Sequence, residues 1–598
     1  MTRRRLRPGV WPHPEGGFDV RVYAPTAEWA RLVLEGETAA LRPEGHGYWH
    51  ARLPDLREGT RYRLETDQTG GPRPDPASLS QPDGVHAASE VIRVPAPENI
   101  PWRGRPLADM VLYELHVGTF SPAGTFAGAI EHLDALVELG VNTLELMPIN
   151  SFPGARNWGY DGVYWQAAQA SYGGPADLRQ LIDAAHERGL AVVIDAVFNH
   201  LGPEGNYLGL FAPYLNEDKR TPWGPALNTD AAYSDGVRDL VLSVAQTWLV
   251  DYGADGLRLD AVHALVDTSA RHILTELSVA VERWGEEEER PLTLIAECDL
   301  NDPRYVTSTD LNGLGMSGQW VDEYHHSLRA YLTGETRGYY GDFGSVDHIR
   351  SSLQMAYVYT GQYSEHRKRS FGAPLTVSHL QHQFVVFGQN HDQVGNRARG
   401  ERLHEHLDER DYLLLAGMVI WSPFTPMLWM GEEYAEPAPF PYFVSHTDEA
   451  VLRGTREGRM REFEPFLQAG ETVPDPGLEE TFASAKLSHR RRGPVYEFYQ
   501  RALRVRNEWW PRRRREMIAH AVYQHGEAVL HWRLLLRDGD TVDVVANLGH
   551  GGFSLSRAST LAEFQFTAPL AASQPVADAI IPARTIAVYH AGGPPTAT

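Results

Sequence analysis

The sequence has little cysteine, no excess of positive charge and no long apolar run, and each shortage argues against a class of protein. Its single cysteine, Cys298, cannot form an internal disulfide, which indicates a reducing cytoplasm. The 598 residues carry 55 Lys and Arg against 78 Asp and Glu, a net charge of −23, which disfavours nucleic acid and anionic membranes as partners. No stretch approaches the roughly 18 apolar residues that span a bilayer, so we expect no transmembrane helix.

Short alternating runs are predicted to form a β-sandwich at each end of the chain. In residues 1–100, runs such as FDVRVYAP and GYWHARLP are broken by Gly, Pro and Asp turns. The proline-rich stretch VPAPENIPWRGRP then resembles a linker. In residues 516–598, the runs AVLHWRLLLRD, TVDVVANLG and RTIAVYHA predict a second β-sandwich.

Between these ends, residues 101–515 have the pattern of repeated βα units. Eight apolar runs of strand length alternate with longer amphipathic segments, which predicts a (β/α)₈ barrel of the TIM type. The runs are MVLYELHVGTF at 110, VNTLELMPI at 141, LAVVIDAVFNH at 190, GLRLDAVH at 256, TLIAECD at 293, QWVDEYHH at 319, HQFVVFGQNHD at 382 and PMLWMGEEY at 426. Each begins apolar and ends polar, so the polar ends should meet at the carboxyl-terminal mouth of the barrel. The connections 201–235 and 327–381 are long enough to form lids or walls there.

Four acids directly follow apolar runs and form the predicted catalytic cluster. They are Asp195, Asp260, Glu297 and Asp392. A single acid in this position often caps a helix or pairs with arginine, but four acids with Arg258, His200 and His391 at matching positions indicate an active site. Paired carboxylates at a barrel mouth suit cleavage of a glycosidic bond. Redox and phosphoryl transfer fit less well, because the sequence has no Walker loop and no paired cysteines.

The segments DAVFNH, GLRLDAVH, LIAECD and FGQNHD resemble, in order and spacing, the four conserved regions of the α-amylase superfamily of glycoside hydrolases. The resemblance implies that Asp260 is the nucleophile, Glu297 the general acid and base, and Asp392 the carboxylate that binds sugar hydroxyls and stabilises the transition state. It implies cleavage with retention. Arg258 should keep Asp260 ionised, while burial and nearby carboxylates should raise the pKa of Glu297.

The same resemblance, with the strand ends, gives the residues that should bind the sugar. The predicted substrate-binding residues are Trp158, Tyr160, Asp195, His200, Arg258, His263, Glu323, His326 and His391. Tyr160 is similar to a tyrosine that stacks under the sugar, whereas Trp158 could be core or platform. Asn199 is a candidate to hold a loop near Asp195. No full set of oxygen ligands for calcium can be identified, and neither a metal nor a cofactor is predicted.

Within the superfamily, segments such as MPINSFPGARNWGYDGVYW, TPWGPALNTD and DEYHHSLRAYLTGETRGYYGDF resemble members that release trehalose from maltooligosaccharides ending in a trehalose unit. The implied substrates are maltooligosyltrehalose and related maltooligosaccharides. A bent, non-reducing disaccharide requires a shaped pocket on the leaving-group side. The candidates for that pocket are Asp322, Glu323, His325, His326, Glu432 and Glu433. A helix-capping or salt-bridged pair is an equal alternative for the last two. His263 and Ala264 stand where many amylases have Lys-His, which also predicts different leaving-group contacts.

Two other functions are compatible with parts of this pattern. A glycogen branching or debranching enzyme acting at α-1,6 linkages would share the same three carboxylates. A non-catalytic amylase-like scaffold would share the barrel, but such proteins lose the catalytic acids, and Asp260, Glu297 and Asp392 are all present here. No obligate protein partner is indicated.

Overall fold

The computed structural model describes residues 6–98, 100–376, 379–464, 472–536, 541–554, 563–567 and 580–591. Its centre is a closed barrel of eight parallel strands in sequential order, each overlapping one of the predicted apolar runs, and this confirms the (β/α)₈ fold. The barrel strands are β1 (Leu112–Leu115), β2 (Thr143–Leu146), β3 (Ala191–Ala196), β4 (Gly256–Leu259), β5 (Thr293–Ala296), β6 (Gly318–Trp320), β7 (Phe384–Phe387) and β8 (Thr425–Trp429).

The α-helices of the described residues lie in the barrel domain and follow its strands. They are α1 (Val117–Phe120), α2 (Phe126–Ile130), α3 (Leu133–Leu139), α4 (Gly174–Glu187), α5 (Ser234–Gln246), α6 (Ile273–Glu287), α7 (Asp322–Thr333), α8 (Val346–Met355), α9 (His391–Gly395), α10 (Glu409–Ile420), α11 (Glu449–Phe463), α12 (Glu479–Ser484) and α13 (Pro494–Glu516). Between β5 and β6 the connection contains only the short 3₁₀ turns Pro303–Tyr305 and Thr309–Leu311.

The barrel strands are apolar because both of their faces are buried. Side chains such as Leu112, Val193 and Ile295 pack with one another in one cluster. Neighbouring residues of the same strands, such as Ile194 and Leu257, belong to a second cluster shared with the helices. Parallel strands covered by helices need apolar residues on both faces, which produces the continuous runs in the sequence.

The described residues on either side of the barrel domain form antiparallel sheets, as predicted. The N-terminal part has two four-stranded sheets, with the strand orders Gly9–Pro12, Phe18–Tyr23, Tyr48–Leu53, Arg42–Gly45 and Thr38–Ala40, Ala30–Val33, Arg61–Thr66, Ser89–Glu90. The C-terminal part has a five-stranded sheet in the order Met517–His525, Val529–Leu536, Thr541–Asn547, Thr585–Ala591, Glu563–Thr567, and the short pair Phe553–Ser554 and Ile580–Ile581. The domain boundaries at residues 100 and 515 stay predictions.

Three antiparallel strand pairs lie in the connections that follow barrel strands. They are Asn150–Ser151 with Tyr164–Ala168, Leu215–Thr221 with Gly224–Leu227, and Tyr363–Ser364 with Arg369–Ser370. The second pair lies in the long connection 201–235 and carries Trp223 in its turn, while the third lies in the long connection 327–381. Within the described ranges, no helix is both long and apolar enough to cross a membrane.

Candidate active site

The four predicted acids lie at the carboxyl ends of barrel strands. Asp195 is the penultimate residue of β3, and Asp260 and Glu297 directly follow β4 and β5. Asp392 lies at the start of α9, soon after β7. Parallel strands in a closed barrel present these ends at one mouth, so residues almost 200 positions apart in sequence share one site.

Arg258 joins three of these acids. Its Nη1 lies 2.7 Å from Oδ2 of Asp195 and 2.8 Å from Oδ1 of Asp260, and donates a hydrogen bond to each. Its Nη2 lies 3.0 Å from Oε2 of Glu297 as an ion pair without hydrogen-bond geometry. The guanidinium is fully buried and stacks over Trp320 at 4.3 Å, so its charge acts in a medium of low polarity.

Asp260 and Glu297 occupy environments that move their pKa values in opposite directions. Burial alone would raise the pKa of Asp260, but Arg258, His200 and a hydrogen bond from Asn199 lower it below its ordinary value. The Asn199 Nδ2–Asp260 Oδ2 distance is 2.7 Å. Burial raises the pKa of Glu297 well above its ordinary value, with further contributions from nearby carboxylates, although Arg258 opposes this. One carboxyl group is therefore suited to be a nucleophile and the other a proton donor.

Asp392 and Asp322 lie together on the other side of the mouth. The Asp392 carboxylate is 39% exposed and accepts a hydrogen bond from Asn396 Nδ2 at 3.1 Å. Asp322, at the start of α7, accepts a hydrogen bond from Gln393 Nε2 at 3.0 Å. Burial and the nearby Asp392 raise the pKa of Asp322 to about 7, so it is protonated in part at neutral pH.

Tyr160, His200 and His391 line the same mouth. The Tyr160 hydroxyl donates to Asp195 Oδ2 at 2.7 Å, and its ring stacks on His391 with centroids 5.1 Å apart. His200 Nε2 lies 2.9 Å from the Tyr160 carbonyl oxygen, and its ring stacks on Trp223. Asn199, expected to act near Asp195, instead bonds Asp260 and contacts His200.

Trp158 packs mainly as a core residue. It is 3% exposed, stacks on Phe440 and donates from Nε1 to the Pro441 carbonyl. Only part of its surface reaches the mouth. Of the two interpretations that the sequence left open, the core one therefore describes most of this side chain.

Two adjoining cavities meet at Asp299, Asp322 and Asp392. The first, of about 450 Å³, is lined by residues that include Trp158, Tyr160, His200, Trp223, Asp260, His263, Glu297 and His391. The second, of about 270 Å³, is lined by residues that include Trp320, Glu323, His326, Tyr339, Phe343, Tyr359 and Arg367. A larger cavity of about 710 Å³ lies beside α6 and contains none of the four acids. Among the described residues, no group of three or more His, Cys, Asp or Glu side chains has the arrangement of a metal site.

Both cavities lack three residues that were predicted for the leaving-group pocket, namely Glu432, Glu433 and His325. Glu432 accepts from the Trp429 backbone N–H and the Tyr499 hydroxyl, and Glu433 accepts from Tyr113. Both are buried outside the two cavities, so their assignment to the pocket was wrong. The capping and salt-bridge alternative was also incomplete, because the hydrogen-bond partners of the two glutamates include tyrosine hydroxyls as well as a backbone N–H.

His325 also lies outside both cavities. Its Nδ1 contacts the Gly388 carbonyl at 2.6 Å and its Nε2 contacts the Tyr340 hydroxyl at 2.9 Å, within the protein interior. Helix α7 turns its neighbour His326 toward the second cavity instead. Neighbouring side chains on a helix point in different directions, and here His325 points into the interior while His326 points toward the cavity.

Several cavity residues were missed by the sequence reasoning. Trp223, Tyr339 and Arg367 come from the long connections between barrel strands and follow no strand-end pattern, whereas Asp299 ends the run TLIAECD after β5 and its signal was overlooked. Trp223 is 48% exposed in a hairpin turn, and the segment TPWG was its only signal in the sequence. Glu114 of β1 was also missed, although it contacts His391 from inside the barrel.

A family model described as alpha amylase, catalytic domain, matches residues 80–220, and one described as carbohydrate-binding module 48 (isoamylase N-terminal domain) matches residues 9–79. The barrel and its acids, with these matches, define a glycoside hydrolase of the α-amylase type. The malto-oligosyltrehalose trehalohydrolase of Saccharolobus solfataricus is 42% identical over 83% of this chain and 86% of its own length. That of a Rhizobium species is 41% identical over 91% and 93%. The chain belongs to the malto-oligosyltrehalose trehalohydrolase family.

A solved structure of similar extent agrees with the α-amylase type of fold. A candidate α-amylase from Salmonella typhimurium superimposes with a TM-score of 0.89 at 32% identity, and the match covers 98% of this chain and 100% of that one. A branching enzyme of Bacillus caldolyticus is 29% identical over 69% of this chain and 64% of its own length. The higher identity and coverage of the trehalohydrolases disfavour the branching alternative.

Proposed function

We propose that this protein hydrolyses the α-1,4-glucosidic bond next to the terminal trehalose unit of maltooligosyltrehalose and releases free trehalose. The observation that carries the proposal is the contact of one buried arginine, Arg258, with Asp260 and Glu297, whose pKa values move in opposite directions. A retaining glycosidase needs this pair of states, an ionised nucleophile beside a protonated acid. The names of the relatives support trehalose as the product.

The proposed reaction has two steps. Asp260 attacks the anomeric carbon while Glu297 gives its proton to the glycosidic oxygen, which leaves with trehalose. Glu297 then takes a proton from water as the water oxygen attacks the same carbon and displaces Asp260. Two inversions give net retention of the α configuration. Asp392 and His391 would bind hydroxyls of the sugar that carries the developing positive charge.

The remaining residues would position the substrate on either side of that bond. Asp195 and Arg258 are buried beneath the mouth, so they would orient the acids and Tyr160 rather than cover the sugar. Tyr160, His200 and Trp158 would bind the glucan on the side of the first cavity.

The second cavity is our candidate for the trehalose pocket. It adjoins the bond-breaking acids through Asp322 and Asp392 and has a mixed aromatic and polar lining, which suits the faces and hydroxyls of a disaccharide. Glu323 and His326 would contribute polar contacts there, and His263 would act from the lining of the first cavity. We place this activity in the cytoplasm, as the single cysteine indicates, with no obligate protein partner.

The test is a parallel incubation of the purified protein with maltooligosyltrehalose, the matching plain maltooligosaccharide and glycogen. Chromatography of the products should give rapid trehalose release from the first and slow cleavage of the others. An Asp260→Asn variant is the matched control, since it removes the nucleophile and keeps the shape of the side chain. Preferred action on glycogen would contradict the trehalose proposal and favour a branching or debranching enzyme. Equal inactivity of both proteins on all three sugars would favour the scaffold.

A further inference from the structure

Two glutamates face each other inside the barrel, below the acids of the mouth. Glu114 of β1 and Glu145 of β2 are direct partners in the strand register, and each is 1% exposed. Two carboxylates this close in a buried setting cannot both remain ionised without cost, so the two side chains should differ in charge. Their contacts show how they differ.

Glu114 binds His391 through both of its oxygens. Its Oε1 lies 2.5 Å from His391 Nδ1, and its Oε2 accepts the His391 backbone N–H at 3.1 Å. With Nδ1 held in this way, Nε2 is the ring nitrogen that faces the mouth, 2.8 Å from the Tyr160 hydroxyl and 3.5 Å from Asp392 Oδ1. A carboxylate behind a histidine fixes both the orientation of its ring and the position of its proton.

Glu145 has no such contact. Neither of its carboxyl oxygens has a hydrogen-bond partner within the described part of the chain. Burial and the adjacent Glu114 raise its pKa well above the ordinary value. Glu145 is therefore the protonated member of the pair, which leaves Glu114 as the ion that faces His391.

The surroundings of His391 favour its charged form. Burial opposes ionisation, but Asp392 and Glu114 together raise the pKa of His391 to about 9. The titratable and charged groups that face the ring are Glu114, His116, Glu145, Tyr160, Arg258 and Asp392. Among these, Glu114 contacts the ring on the side away from the substrate, so it can act without touching the sugar.

We propose that Glu114 is a positioning residue, which holds His391 as a cation with Nε2–H directed into the mouth, where the Tyr160 hydroxyl and the sugar hydroxyl beside Asp392 share it. This inference rests on the proposed function for its substrate, whereas the contact between Glu114 and His391 does not depend on it. The held Nε2–H fixes the sugar hydroxyl beside Asp392 in the geometry that the transition state requires, so the benefit should appear in kcat more than in KM.

The matched pair of variants Glu114→Gln and Glu145→Gln tests the proposal. Both replace a buried barrel glutamate by its amide, but only the first removes a charge. We expect kcat of Glu114→Gln to fall at least about tenfold near pH 8 with KM changed less than about threefold. The loss should shrink toward about pH 5.5, where His391 regains its proton. Glu145→Gln should stay within about twofold of wild type throughout this range.

A second measurement does not need activity. In protein labelled in the histidine rings, NMR should show that the His391 ring loses its charge at lower pH in Glu114→Gln than in wild type, with His391→Gln used to assign the signal. Glu114→Asp keeps the carboxylate, and its ring should stay charged near pH 8. Any loss of kcat in Glu114→Asp should then be independent of pH.

Three results would overturn the proposal: equal losses in Glu114→Gln and Glu145→Gln, an unchanged titration of His391 in Glu114→Gln, or the same pH-dependent loss in Glu114→Asp. If Glu114→Gln does not fold, the aspartate variant and the wild-type titration decide the question. Absence of trehalose release by the wild type would contradict the proposed function alone, because the NMR measurement would still decide the role of Glu114.

Discussion

Replacement of Arg258 should move the pH dependence of the reaction by an amount that the geometry sets. Two unit charges about 4 Å apart interact by about 4 kcal/mol at an effective dielectric constant of about 20, or about three pKa units. Arg258 Nη1 contacts both Asp260 and Asp195, so its effect is shared between them. We expect the pKa of Asp260 to rise by about 1 to 3 units in Arg258→Gln.

The direction in which the pH profile shifts follows from the role of Asp260 as the nucleophile. In the wild type its pKa is lowered, so the nucleophile stays ionised down to acidic pH. With the arginine removed, the acid limb of kcat/KM should move up by the same amount, about 1 to 3 pH units. The free energy of unfolding should also fall, by about 3 to 5 kcal/mol, because loss of the arginine leaves buried carboxylates uncompensated. The thermal midpoint should fall with it.

The assay is trehalose release from maltooligosyltrehalose as a function of pH, with circular dichroism at each pH to establish that the variant is folded. Arg258→Lys is the control. A lysine keeps the positive charge but cannot reach two carboxylates with one planar group, so its shift should be smaller. An acid limb within about 0.3 pH unit of wild type in folded Arg258→Gln would refute the electrostatic role of the arginine.

Three further substitutions test other parts of the site. Glu297→Gln keeps the shape but removes the proton donor, so kcat should fall about 10³-fold or more with the circular dichroism spectrum unchanged; near-normal turnover would contradict its role. Trp223→Ala removes an exposed ring stacked on His200, so KM should rise roughly fivefold, and an unchanged KM would mean that the ring lies outside the substrate path. Burial raises the pKa of Glu432 to about 8, so it is protonated at pH 7 and Glu432→Gln should preserve both kcat/KM and the thermal midpoint. A selective loss of trehalose release in Glu432→Gln would return that residue to the pocket.

The fold could be predicted from the sequence because its signals are local and repeated. Each barrel strand is an apolar run with helices or loops on both sides, and eight such runs have one simple closed arrangement. Arg258 and the acids that follow β4 and β5 could be predicted too, since a strand end fixes both the position and the direction of the next side chain.

The rest of the site could not be predicted because it depends on contacts between distant segments. Glu433 lies in a 3₁₀ turn a few residues after β8, and its carboxylate accepts a hydrogen bond from Tyr113 of β1 in the interior. Glu114 looks like one polar residue in an apolar strand until α9 brings His391 against it. Trp223 reaches the mouth because it lies in the turn of a hairpin that extends to the mouth. Loop geometry of this kind has no periodic signature in the sequence.

Charge balance explains why carboxyl groups in different protonation states occur within one site. A single guanidinium lies against Asp195, Asp260 and Glu297, and it lowers the pKa of each of them. Burial raises the same pKa values; it prevails at Glu297 but is overcome at Asp260, which also accepts a hydrogen bond from Asn199. Removal of Arg258 should therefore raise the pKa of the nucleophile and that of the proton donor together. We expect the whole pH profile to move toward higher pH rather than to narrow, which distinguishes loss of a shared charge from loss of either acid alone.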